Sequence, residues 1–205
     1  NDETPFQKML GNYASVEPIS LTGKMPTAKQ SEIISQLDKY NTIIVSIHSG
    51  KKADITLARR ICQNRNTILV FFTSPYQIKG YQEVIKKSQA VILAYEDNVT
   101  AQEYAAQILF GGYGAQGKLP VNINNLFTLG KGTETQATRL GYTLPEATGM
   151  NSDSLDKIAP IVKEGISAKA FPGCQILIAH KGKIIYSKSF GYFDYAGTHP
   201  VQNTD

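Results

Sequence analysis

Three apolar runs constrain this chain more than any other feature: Thr42–Ile47, Thr67–Phe72 and Ala90–Tyr95. Each is bounded by a stretch of helical period. In Thr27–Tyr40 the apolar residues Ile33, Ile34, Leu37 and Tyr40 share one face, and Thr27 with Gln30 reads as a capping box. Asp54–Gln63 turns Ile55, Ala58, Ile61 and Cys62 inward, and Gln77–Lys87 reads as helical. Thr100–Phe110 carries a second capping box, Thr100 with Glu103, and has Gly111 just past its end. Val16–Leu21 and Leu119–Ile123 read as further short strands. Strands apolar on both faces are buried on both sides, which calls for a parallel sheet covered by helices. The expected class is therefore α/β: a doubly wound, mostly parallel sheet with helices on both faces, spanning residues 1–125.

The character changes over residues 126–150, which are rich in Thr and Gly and have no clear period, and which read as a linker or surface strap. A third part, residues 151–205, opens with an amphipathic segment that Ser152 would cap, with Leu155, Ile158, Val162 and Ile166 inward. Pro160 falls inside it, so a kink or a late helix start is expected. Phe171-Pro172-Gly173 ends the helical pattern and Lys181-Gly182 marks a hairpin turn, with Ile176, Ile178, Ile184 and Tyr186 as the apolar face. A hairpin alone is not stable in water. A helix and hairpin therefore read as part of an incomplete α+β domain, which must lie on the first domain, swap with another molecule or stay mobile.

Composition narrows the function. The net charge of +4 is mild, and the pairs Lys51-Lys52 and Lys86-Lys87 are not a basic stripe with interleaved aromatics, so nucleic acid is not an expected partner. No apolar run approaches the roughly 20 residues of a membrane span. The first residues, NDETPF, lack an initiator Met and a signal peptide, as expected for a chain cut from a longer precursor. Cys62 and Cys174 are expected as buried free thiols. His48, His180 and His199 lack metal-ligand spacing, so neither a metal nor a cofactor is expected.

Gly112–Leu119, GYGAQGKL, matches G-x-x-x-x-G-K but has Leu119 where a phosphate loop needs a hydroxyl. It follows a helix instead of preceding one, and is read as a tight connection. Ser49–Lys52 and Ser154–Lys157 both match S-x-x-K, a frequency that chance alone supplies. The loops after the apolar strands matter more, because ligands of open α/β sheets bind beyond the strands' carboxyl ends. His48-Ser49, Ser74 and Glu96-Asp97 are the candidate substrate-binding residues there. His48 would act as acid or base, and Glu96 or Asp97 would hydrogen-bond a sugar. The alternative is that Asp97 and Ser74 cap helices and His48 is a satisfied surface residue.

Two stretches resemble known families. The run from Ile68 to Ile123, above all Gly111-Gly112 and Gly117-Lys118-Leu119-Pro120-Val121, resembles the C-terminal α/β sandwich domain of family 3 glycoside hydrolases, in their β-N-acetylglucosaminidase branch. The resemblance implies a glycosidase parent whose catalytic residues sit on a separate barrel, so no catalytic residue is expected in this chain. Leu155–Val201, with Pro172-Gly173, Lys181-Gly182 and Phe190-Gly191-Tyr192, resembles the start of a serine β-lactamase-like or penicillin-binding-protein-like domain. Its nucleophile motif is expected after Asp205. Together these imply a piece of a bacterial bifunctional hydrolase, whose partners are the parent's barrel and serine hydrolase domains and whose ligands are glycan or cell-wall fragments. The analogy places it in the periplasm or outside the cell. The piece itself is expected to be an accessory domain, inactive alone. The alternative is a glycan- or nucleotide-binding module working at the strands' carboxyl edge.

Overall fold

The computed structural model describes residues 3–125 and 127–203. Asn1, Asp2, Leu126, Thr204 and Asp205, which close several of the segments above, lie outside the described residues. The architecture is mixed α/β, with a three-stranded parallel sheet clothed by helices and a second, small mixed sheet.

The apolar runs form the first sheet. Strands β1 (Ile43–Ile47), β2 (Thr67–Phe71) and β3 (Ala90–Leu93) lie in the order β1-β2-β3, all parallel. Central β2 is the most buried, with Leu69, Val70 and Phe71 fully shielded. Its side chains alternate between two cores. Leu69 and Phe71 join Val45 and Ile47 under α2 (Thr27–Gln36), α3 (Lys52–Ile61) and α4 (Gln82–Ile85), through Ile34, Leu57, Ile61, Val84 and Ile85. Val70 and Phe72 face α1 (Pro5–Gly11) and α5 (Val99–Phe110), through Phe6, Leu10, Ala105 and Ala106. Helices thus cover both faces, as strands apolar on both sides require.

Several local expectations are corrected. Thr27 is the first helical residue, behind an N-cap Pro26 that makes no side-chain cap bond. Gln30 is instead drawn inward, where its side-chain amide donates to Thr22 O and Met25 O. Helix α5 starts one residue earlier than Thr100, because the Asn98 side chain accepts from Ala101 N–H and takes the cap. Ser152 likewise yields its cap to Asn151. Gln77–Lys87 is helical but divided between the end of a 3₁₀ stretch, Pro75–Tyr81, and the single turn α4. Leu119–Ile123 is no strand; Leu119 exchanges backbone bonds with Gly130 and Lys131 in an irregular strap. Val16–Leu21 forms no ladder either. Cys62 is buried, but Cys174 is only partly so.

The second sheet runs β4-β6-β5. Strands β5 (Gly173–His180) and β6 (Lys183–Gly191) form the hairpin, with Lys181 and Gly182 both at positive φ, as a type I′ turn requires. The short β4 (Gly141–Tyr142), from the stretch read as a linker, pairs parallel with Lys183 and Ile184. Helix α6 (Ser152–Asp156) breaks at Lys157 before α7 (Ile158–Ser167), so Pro160 sits in the first turn of a late-starting helix, where its missing N–H costs nothing.

The apolar face of the hairpin differs from the sequence expectation. The register shifts between Ile178 and Ala179, which face Tyr186 and Ile184, leaving Ile185 as the extra residue of a bulge. Ile185 and Tyr186 therefore both enter the core with Leu155, Ile158, Ile176 and Ile178, and Ile184 is buried beside β4 instead. The hairpin also docks within the same chain: the Lys183 ammonium lies 3.5 Å from the Tyr113 ring centre and donates to Gly112 O at 3.4 Å.

Burial leaves one pH signature. The Tyr81 phenol, which donates to Ser49 O at 2.6 Å, and the Tyr13 phenol are each pushed up to about 12, chiefly by desolvation. Raised phenol values mean that the fold holds the neutral form. That contribution is whole below the ordinary value of about 10 and is lost as pH climbs through about 12. Urea midpoints are expected to fall steadily across this window. An unchanged midpoint would show that both phenols ionise without cost.

Candidate functional site

Because the three strands are parallel, the residues that follow them share one edge of the sheet. His48 follows β1, Phe72–Ser74 follow β2 and Tyr95–Asp97 follow β3. Here His48 and Asp97 meet, with Nδ1 and Oδ2 2.9 Å apart. The other Asp97 oxygen accepts from the Gln102 amide at 2.7 Å, and Gln102 Oε1 accepts from Phe6 N–H at 3.2 Å. The His48 ring lies over Phe72, centre to centre 5.0 Å and 24° from parallel. Helix α5, helix α1 and strand β2 thus all hold one imidazole–carboxylate pair.

The pair is reachable from solvent: the His48 and Asp97 side chains are 35% and 42% exposed. A carboxylate accepts only, so Asp97 selects the imidazole form with its proton on Nδ1. Nε2 is the nitrogen that this pairing leaves over, able to accept from a ligand hydroxyl or, once protonated, to donate to an acceptor.

The other candidates serve local structure. Ser49 Oγ donates to Asp54 Oδ2 and accepts from Lys51 N–H at 3.3 Å, while Asp54 Oδ1 accepts from Gly23 N–H at 3.1 Å. The Ser49 hydroxyl therefore pins a turn and is not turned to Lys52. Glu96 accepts from the Asn98 side chain at 2.7 Å, which steadies the α5 cap. Ser74 stands at the N-cap of the 3₁₀ stretch without a side-chain cap bond, and Asp97 does not cap α5. Ser154, of the second S-x-x-K match, is exposed on α6.

Three residues at this edge carry no signal in the sequence. Gln102 looks like any polar helix position, and Phe72 reads as core. Tyr95 has φ 66, and Glu96 N–H reaches back to Ala94 O at 2.8 Å, closing a tight turn in a conformation that costs a non-glycine residue about 1–3 kcal/mol. That turn ends β3 abruptly and delivers Asp97 to His48.

Among the described residues no group of three or more His, Cys, Asp or Glu is placed to hold a metal ion, and no helix is long and apolar enough to cross a membrane. The chain matches no protein-family model, no curated protein and no solved structure.

Replacing Gln102 by Leu keeps most of its volume but strips Phe6 N–H and Asp97 of a partner each. A loss of about 1–3 kcal/mol in urea unfolding is expected, together with displaced His48 ring signals by NMR. His48 ring signals that stay in place would show that Gln102 does not position the pair.

Proposed function

We propose that this chain is the accessory domain of a bacterial bifunctional hydrolase, a β-N-acetylglucosaminidase-like glycosidase fused to a serine β-lactamase-like hydrolase. In this reading the first sheet belongs to a doubly wound α/β domain and performs no chemistry alone. The observation that carries the reading is the structural work of the signature residues Gly111–Val121. Gly111, at φ 80, closes α5, and Gly112 N–H bonds Gln107 O at 2.7 Å, a 6→1 helix stop. Gly111 O then accepts from Thr138 and Arg139 N–H at 2.8 and 2.9 Å. Lys118 pairs with Glu134 at 2.8 Å and donates to Gly132 O at 3.1 Å. The signature fastens the strap that leads from one sheet to the other, which is the role of a joint between domains. A side chain at Gly112 would collide with the Tyr13 hydroxyl, so glycine is required for that approach.

With an aryl N-acetylglucosaminide and a chromogenic β-lactam, this chain is expected to give only the buffer rate. Saturable turnover lost in His48→Ala would overturn the proposal.

A second reading is favoured by the exposed His48–Asp97 pair: a glycan held at the carboxyl edge through its hydroxyls. Titration with N-acetylglucosamine-containing cell-wall saccharides is then expected to move the NMR signals of His48, Asp97 and Gln102, and His48→Ala to abolish the shift. Signals that stay in place would remove this reading.

A further inference from the structure

A cleft of about 420 Å³ runs along the free edge of β1 and separates it from the segment Val16–Leu21. The segment lies alongside the sheet in the sense of a strand. At one end Glu17 bonds Lys39 and Tyr40, just before β1; at the other, Gly23 N–H bonds Asp54, just after it. It therefore runs parallel to β1. Its side chains divide as a strand's would, with Val16 in the core beneath α1 and α5, and Ile19 and Leu21 in the core beneath α2–α4. No backbone bond joins it to β1 among the described residues.

The edge facing the cleft is equipped for pairing. Ile43 N–H bonds Asn66 O on the β2 side and Ile47 O accepts from Phe72 N–H there. Alternation then turns the amides of Ile44 and Ser46 toward the cleft, which both residues line. One wall presents Phe6 and Leu10, and the other Leu37 and Ile61, so the cleft opens onto both apolar layers.

The position of α1 identifies the occupant. Thr4 and Gln7 line the cleft with His48, and Phe6 N–H joins the Gln102–Asp97–His48 network. Helix α1 thus starts at the carboxyl edge, where a strand seated in the cleft and parallel to β1 would emerge. We infer that the cleft is the seat of one extended strand, apolar on both faces and parallel to β1, contributed by polypeptide joined ahead of α1. Strand in the cleft, α1, Val16–Leu21, α2 and β1 then follow as successive right-handed crossovers, and the strand order becomes that of a five-stranded doubly wound sheet. This inference rests on the cleft and stands apart from the hydrolase reading.

The test compares two extended chains, one with about six alternating Val and Ile residues placed ahead of Asn1 and one with a Gly/Ser extension of equal length. The apolar extension is expected to raise the melting temperature by about 10 °C and to slow amide exchange at Ile44 and Ser46 about 100-fold, with no change for Gly/Ser. Protection that appears instead on the β5 edge, Gly173–His180, or in neither place, would overturn the inference. So would Ile44 and Ser46 amides already protected in the unextended chain, a measurement independent of how the extension behaves.

Discussion

Gln107→Leu is expected to unfasten the second sheet from the first. Gln107 is only 3% exposed, yet its Oε1 accepts from Tyr142 N–H of β4 at 2.6 Å and from the Tyr13 hydroxyl at 3.2 Å. Around it, Tyr13 stacks on Phe110 at 5.4 Å and meets Tyr142 edge-on at 5.3 Å, and the Tyr142 hydroxyl donates to Asn12 O at 3.1 Å. Leu fills the space but leaves Tyr142 N–H without an acceptor, while the Tyr13 hydroxyl keeps Leu140 O at 3.1 Å, a cost of about 1–3 kcal/mol. That cost falls on the joint. Amide exchange at Tyr142 and at Ile184–Tyr186 is expected to speed up by about 30-fold or more, while Leu69–Phe71 stays protected. Gln107→Glu, which keeps an acceptor, is expected to lie much closer to the parent chain. Uniform acceleration across both sheets would instead show that they unfold as one cooperative unit.

Phe71→Ala is expected to carry the largest stability cost in the chain. Phe71 is fully shielded on the central strand and meets the buried Tyr81 ring edge-on at 5.2 Å, in the core roofed by α2–α4. Truncating a buried phenylalanine costs about 3–5 kcal/mol, from lost transfer energy and the cavity left behind. Against a total of about 5–15 kcal/mol for a folded domain, this leaves a visible unfolded fraction at mild urea concentrations. A cost below about 1 kcal/mol would mean that the helices close over the gap. The core carrying His48 through Phe72 lies on the opposite face of β2, so the His48–Asp97 contact is expected to survive in the molecules that remain folded.

Fold elements were legible wherever one residue pattern acted locally. The three apolar runs became β1–β3, and Lys181-Gly182 became the hairpin turn, because strand burial and positive φ are written into adjacent residues. The caps lie one or two residues before Ser152 and Thr100, because the Asn151 and Asn98 side chains take the free amides of the first turn. The Ile185 bulge is not legible, because period-two alternation has no way to signal an inserted residue. Of the candidate site, the general location was legible from parallel strands alone. Its membership was not: Ser49 and Glu96 hydrogen-bond within their own turns, while Gln102 and Phe6 reach the site from helices.

The sequence by itself determined which segments are buried on both faces, that helices must cover them, and where the chain reverses in the second sheet. Those properties depend on side chains a few positions apart. Only the tertiary structure decided that His48 and Asp97, 49 residues apart, share a hydrogen bond. It also decided that Gln107 ties β4 to α5, and that Val16–Leu21 lies across a cleft from β1 without a backbone bond to it. These outcomes follow from strand order and from which helix lies on which face, and both are set by the packing of distant residues.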